Sequence, residues 1–195
     1  MRVFLIRHGF AYHNLAALKV GDIAYSNPMY KDAKLTPIGI NQAINAGNKL
    51  KCIYFNKIYS SPLIRCIQTC MLILSENKYF NNNKTIFLDD KLLEEQGKHI
   101  CNERKSKFEL NQYLSEEYIN KFDMTNVKSN YLFDKESINE LKNRIDKFMY
   151  NLSKNCNKND NILIVTHYVW LFNYFEMITG IPYEFENTEI RVIYI

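Results

Sequence analysis

The sequence predicts an α/β protein built on a mostly parallel sheet, and three observations carry that prediction. Short β-branched runs alternate with amphipathic helical stretches along the chain, which is the pattern of βαβ units. Two of these runs, Val3 to Ile6 and Ile162 to Val165, are apolar throughout, as strands covered on both faces must be. Both end at once in chemistry-bearing residues, Arg7-His8-Gly9 and Thr166-His167, and ligands bind at the carboxyl edge of such sheets.

The elements follow in order. After the first strand comes a polar stretch with Gly21 and Pro28, read as loop or broken helix. Thr36-Pro37 opens a helix, Thr as cap and Pro at the first position, with Ile40, Ala43, Ile44 and Gly47 as its apolar face up to about Leu50. Ile53 to Tyr59 reads as a strand. Ser61-Pro62 repeats the cap-and-proline device before a helix through Ile64, Ile67, Met71 and Leu74. The Asn81-Asn82-Asn83 run is a loop, and Thr85 to Leu88 a third strand. Residues 89 to about 134 have no clean period, and the part from about 98 is expected to be an insertion in a single domain, with some helix at Lys107 to Tyr118. Ser137 and Glu140 form a capping box ahead of the stripe Leu141, Ile145, Phe148, Met149 and Leu152. Ile162 to Val165 is a strand, Val169 to Thr179 a helix stopped by Gly180, and Arg191 to Ile195 a closing strand.

Composition narrows the class. At 195 residues, with 47% hydrophobic and 24% charged side chains, the chain has the balance of one globular domain, which excludes disordered and fibrous proteins. No run of 18 apolar residues occurs, so no membrane association is expected. The N-terminus turns charged after six residues and lacks a signal-peptide pattern. The five cysteines are odd in number and scattered, which predicts free thiols, mostly buried, and no zinc site. A cytoplasmic protein is expected. The net charge of +4 is spread without a basic stripe, so nucleic acid is not an expected partner, although an anionic small molecule is compatible with it.

A few residues stand out chemically. Of four histidines, His8 and His167 each follow an apolar strand, so one cleft can hold both. Arg7 precedes His8, and Arg65 sits just past another strand; arginine is scarce here, six against nineteen lysines. Guanidinium groups grip phosphate with paired hydrogen bonds. Together they form a candidate oxyanion site. A proton donor is the missing part, and Glu94 or Glu95, after the apolar pair Leu92-Leu93, can supply it.

With these residues in view, the chain resembles the histidine phosphatase superfamily, which includes phosphoglycerate mutases. Arg7-His8-Gly9, Ser61-Pro62 with Arg65, Gln68 and Thr69, Leu92 with Glu94, and Thr166-His167 occur in that family's order over nearly the whole chain. His13-Asn14, the segment from Asp32 through Thr36-Pro37, Gly39 and Gln42, and Glu94, Gly97, His99, Cys101 and Arg104 are similar to the plant and fungal phosphoglycerate-mutase-like branch. The resemblance implies a three-layer sandwich, helices on both faces of the sheet. It further implies that His8 is a nucleophile, that Arg7, Arg65 and His167 hold the phosphoryl group, and that Glu94 rather than Glu95 is the acid. Asn14 would add a phosphate contact, and Tyr12, His13, His99 and the 98–134 segment would line the entrance. No metal or cofactor is implied. The substrate would be a phosphorylated small molecule or phosphoprotein, hydrolysed through a phosphohistidine. The same core serves a mutase, but Phe10 to His13 lack the Ser and Trp of the mutase pattern. A non-catalytic phosphate-binding module is the other reading, against which all five core residues stand. One departure is Tyr168, where the family often has glycine; it bears on the shape of the phosphate site. Substrate identity and oligomeric state are not legible.

Overall fold

A computed structural model describes residues 1–81, 84–118 and 121–195, with Glu117 placed through its backbone only. Its elements are β1 (Arg2–Arg7), α1 (Tyr12–Val20), α2 (Pro37–Leu50), β2 (Lys57–Ser60), α3 (Ile64–Ser75), β3 (Ile86–Asp89), α4 (Lys107–Glu117), β4 (Phe122–Asn126), α5 (Ile138–Asn155), β5 (Asn161–Thr166), α6 (Tyr168–Thr179) and β6 (Ile190–Tyr194). One six-stranded sheet runs β4-β3-β2-β5-β1-β6. All neighbours pair in parallel except β6, which runs antiparallel to β1.

The strands feed two cores by simple alternation. Phe4, Ile6, Leu163, Val165 and Ile58 point into a core shared with α2, α3 and α4. Val3, Leu5, Ile162 and Ile164 point the other way, into a core shared with α5 and α6 around the fully buried Trp170. Successive side chains of a strand face opposite sides, so an apolar run such as Ile162 to Val165 supplies both cores. This is the expected three-layer α/β arrangement.

Several local readings hold in detail. Thr36 caps α2 by accepting from Gly39 N at 3.1 Å, and Ser137 and Glu140 close the capping box of α5. The buried stripe of α5 is Leu141, Ile145, Phe148, Met149 and Leu152. Gly180 ends α6 at φ 73°. The stretch after β1 is a broken helix, α1 followed by 3-10 turns at Gly21–Ser26 and Pro28–Tyr30.

Other readings are corrected. Helix α2 buries Gly39, Ala43, Ala46, Gly47 and Leu50, while Ile40 is exposed and Ile44 half-buried. The reason is close backbone approach: a Cβ on Gly39 would lie 2.1 Å from the Phe10 carbonyl oxygen, so the small residues, not the largest ones, face inward. The strand expected from Ile53 shortens to Lys57–Ser60. Ser61-Pro62 does not open α3, which starts at Ile64. Its amide at Ile64 is instead taken by the Asp32 carboxylate at 2.7 Å, a cap from 32 positions away that no local pattern could reveal. The 98–134 segment is more than an insertion with helix, since it also supplies edge strand β4. Met71 is half-buried, and of the cysteines Cys52 is exposed. The triple asparagine loop falls partly outside the described residues, which omit Asn82 and Asn83.

Candidate active site

Sheet order decides the site. Strand β5 lies between β1 and β2, in register Arg7 opposite Thr166 and Ser60 opposite Val165. The residues just past those three ends, His8, Ser61 and His167, are therefore neighbours. The His8 and His167 rings stand 5.2 Å apart between centroids. His8 N donates to the Thr166 carbonyl at 3.0 Å, and Gly9 N to Thr69 Oγ1 at 3.0 Å, which pins the turn after β1 to α3. Gln68 Oε1 accepts from Leu35 N, and Gln42 Oε1 from Phe10 N. The motif residues Gln68, Thr69 and Gln42 thus serve as braces around the site.

His8 is 3% exposed. Its Nδ1 faces the Gly9 carbonyl at 2.8 Å. A carbonyl only accepts, so Nδ1 carries the proton and Nε2 keeps its lone pair. Arg65 Nε donates toward that lone pair at 3.3 Å. Arg65, itself buried, is oriented by the Cys101 carbonyl at 2.9 Å and by Asn102 Oδ1 at 3.0 Å. Arg7 Nη1 donates to the Phe185 carbonyl at 2.6 Å, and the Tyr168 ring covers its guanidinium at 5.0 Å.

Glu94 approaches from the segment after β3. Its carboxylate accepts from Val169 N at 3.1 Å, Trp170 N at 3.2 Å and Glu95 N at 3.1 Å. Burial pushes its carboxyl above the usual range, against those amides and the charges of Arg65 and Arg7. Arg144 of α5, unremarked in the sequence, holds this segment by donating to the carbonyls of Lys91, Leu93 and Glu94 while paired with Glu136. Gly97, at φ 72°, completes the bend; a Cβ there would sit 2.2 Å from Lys135 Cα. Gly97→Ala is expected to destabilise by about 1–3 kcal/mol, from strain and overpacking together, read as a lowered urea midpoint. A midpoint unchanged from the native protein would contradict this reading of the bend.

These groups surround a cavity of about 170 Å³ lined by Arg7, His8, His13, Asn14, Arg65, Glu94, His99 and their neighbours. The sequence-predicted residues are thus brought together, with qualifications. His167 is fully buried behind His8 rather than on the wall, with Nε2 2.7 Å from Ser61 Oγ. Ser61 was missed as a site residue because its sequence pattern looks like a cap. Asn14 Oδ1 accepts from Ala11 N, and its side chain also bonds the Tyr25 hydroxyl. Tyr12 is exposed and off the wall; Tyr25 takes that place. Glu95 lines the cavity alongside Glu94, with its carboxylate 3.4 Å from Lys98 at the rim. Among the described residues of the 98–134 segment, Lys98, His99, Cys101 and Asn102 line the cavity. Among the described residues, no cluster of three His, Cys, Asp or Glu is arranged to hold a metal ion.

The geometry agrees with a family model, that of the histidine phosphatase superfamily, branch 1, which matches residues 3–193. The chain belongs to this superfamily. A broad-specificity phosphatase of Saccharomyces cerevisiae is 37% identical over 83 residues, 42% of this chain and 33% of that protein. A 2,3-bisphosphoglycerate-dependent phosphoglycerate mutase of Actinobacillus pleuropneumoniae is 37% identical over 79 residues, 40% and 31% of the two chains. The match spans about a third of the length of these curated relatives. Among solved structures, the alpha-ribazole phosphatase of Shigella flexneri superposes with a TM-score of 0.67 at 22% identity, covering 99% of this chain and 90% of that one. A phosphoglycerate mutase of Bacillus anthracis gives 0.68 at 20% identity, covering 99% and 87%. A phosphoserine phosphatase of Entamoeba histolytica, in complex with 3-phosphoglyceric acid, gives 0.62 at 25% identity, covering 98% and 89%.

The cavity is electrostatically lopsided. Burial first, then Arg65, holds His8, His13 and His167 well below the usual 6.5, so all three are neutral at pH 7. The unfolded chain protonates them near pH 6.5 while the folded protein does not. Their contribution to stability is therefore complete above about pH 6.5 and is lost as pH falls. The slope is about 1.4 kcal/mol per pH unit for each histidine that stays neutral. Asp32, pushed up to about 6 by burial, opposes this in part by holding a proton in the folded state. The urea midpoint should accordingly fall between about pH 7 and pH 5; a flat or rising midpoint would contradict the burial of neutral imidazoles.

Proposed function

We propose that this superfamily member is a metal-independent phosphatase that hydrolyses a phosphomonoester through a phosphohistidine on His8. The observation that supports it most is the tautomer of His8: the Nδ1 proton is held by the Gly9 carbonyl, leaving Nε2 as a neutral nucleophile beside Arg65. In the first step the Nε2 lone pair forms a P–N bond as the P–O ester bond breaks. The Glu94 carboxyl gives its proton to the departing oxygen. In the second step water attacks the phosphohistidine, passes a proton to the Glu94 carboxylate, and the P–N bond breaks to release phosphate. Arg7 and Arg65 offset the charge on the phosphoryl oxygens throughout, which is the larger part of catalysis in phosphoryl transfer. His167, buried beside His8 with the rings 5.2 Å apart and its Nε2 against Ser61 Oγ, packs behind the nucleophile. The free thiols fit a reducing, cytoplasmic setting; no helix among the described residues is long and apolar enough to cross a membrane.

The test is a panel of phosphomonoesters assayed in the presence of EDTA. Release of inorganic phosphate is the expected result. Transfer between hydroxyls of phosphoglycerate without release would make the protein a mutase, and complete dependence on added magnesium would reject the mechanism.

A further inference from the structure

Arg65 is 1% exposed, so its guanidinium stands where its neighbours put it. Two frames hold it. One is the first turn of α3, which carries its backbone. The other is the segment that supplies its acceptors, the Cys101 carbonyl and Asn102 Oδ1. The contact of Arg65 Nε with His8 Nε2 at 3.3 Å lasts only while the two frames keep their spacing.

The Asp32 side chain bonds both frames. Its Oδ1 accepts from Ile64 N, the amide next to Arg65, at 2.7 Å. Its Oδ2 accepts from Lys105 N, three residues past Asn102, at 3.3 Å. Asp32 is 5% exposed and absent from the cavity wall, so it touches no reacting atom. Its backbone sits at φ 47°, a left-handed conformation that Asp and Asn adopt more readily than other side chains. A carboxylate accepts on both oxygens and donates on neither, which is what two facing amides require. An uncharged side-chain amide would turn a donor toward one of them. Burial pushes Asp32 up to about 6, held back by the Ile64 amide, the Arg65 charge, and the amide and charge of Lys105.

Resting on the phosphatase reading, we propose that Asp32 is a positioning residue for phosphoryl transfer. It braces α3 against the 101–105 segment and so sets the Arg65 guanidinium against His8 Nε2 and the phosphoryl oxygens.

Asp32→Asn tests the brace, because Asn keeps the size and the left-handed backbone and loses one of the two acceptors. At about pH 8, where the native carboxyl is ionised, kcat is expected to fall about 10–100-fold, as a slight misplacement of a catalytic group can cause. The Kd for inorganic phosphate, read by calorimetry, should rise about 3–10-fold, part of one charge-assisted hydrogen bond. The loss should be equal on p-nitrophenyl phosphate and an alkyl phosphate, because Arg65 serves the phosphoryl group and not the leaving group. In an Arg65→Ala background the same substitution should change neither quantity further, the mark of two residues acting as one. A merely structural Asp32 gives another pattern: a lower apparent kcat from fewer folded molecules, unchanged KM and phosphate affinity, and the same loss in both backgrounds. That pattern would overturn the brace, as would a native protein that binds no phosphate. If Asp32→Asn does not fold, Asn102→Ala removes the Arg65 acceptor at the far end. A weakened phosphate affinity that vanishes in the Arg65→Ala background supports the brace, and an unchanged affinity overturns it. If no ester is hydrolysed, the phosphatase reading fails. The phosphate affinities of the same variants then decide the brace by themselves, additive losses overturning it.

Discussion

His8→Ala is expected to abolish release of phosphate from p-nitrophenyl phosphate, a loss on the order of 10⁴–10⁶-fold. The magnitude follows from chemistry that no neighbour can take over. A general acid or a phosphate-binding arginine lowers a barrier, whereas the nucleophile defines the pathway. The candidates nearest to His8 are poor substitutes. His167, at 5.2 Å, is fully buried off the cavity wall with its Nε2 against Ser61 Oγ; His13 lies a ring away at 5.8 Å; and the buried Cys66, its thiol pushed well above its usual range by burial, carries almost no thiolate at neutral pH. The native protein should form a phosphoenzyme that is labile in acid and stable in base, as a P–N bond requires. Full activity in His8→Ala, or an acid-stable adduct, would reject the assignment.

Glu94→Gln is expected to slow hydrolysis of an alkyl phosphate by about 10²–10⁴-fold, and of p-nitrophenyl phosphate by far less. The asymmetry arises because p-nitrophenolate leaves without a proton, while an alkoxide does not. Glu94 and Glu95 both reach the cavity, so lining it cannot by itself choose between them. Environment can. Glu94 is buried, and burial raises its carboxyl, which favours a group that keeps a proton to give. Glu95 is partly open to solvent beside Lys98, without the burial that sets Glu94 apart. Glu95→Gln should therefore change both substrates only slightly. The reverse pattern, with Glu95→Gln the more damaging and leaving-group-dependent change, would move the acid role by one residue.

The sequence by itself determined what depends on local pattern. The all-apolar run Ile162 to Val165 could be satisfied only as a strand covered on both sides, and the period of Leu141 to Leu152 only as a helix with one buried face. The catalytic candidates were legible for the same reason: His8 and His167 follow strands directly, and polar side chains at strand ends stand at the carboxyl edge of a parallel sheet.

What the tertiary structure alone decided lies in contacts between distant segments. Asp32, not Ser61, caps α3; Arg144 of α5 holds the backbone that carries Glu94; Tyr25, not Tyr12, walls the cavity. The inward face of α2 turned toward its glycines because the Phe10 carbonyl leaves no room for a Cβ. Edge strand β4 was hidden because Phe122–Asn126 is partly exposed and lacks the apolar run that marks a buried strand. None of these follows from a period or a motif, because each depends on which atoms the completed sheet brings within hydrogen-bonding or van der Waals distance.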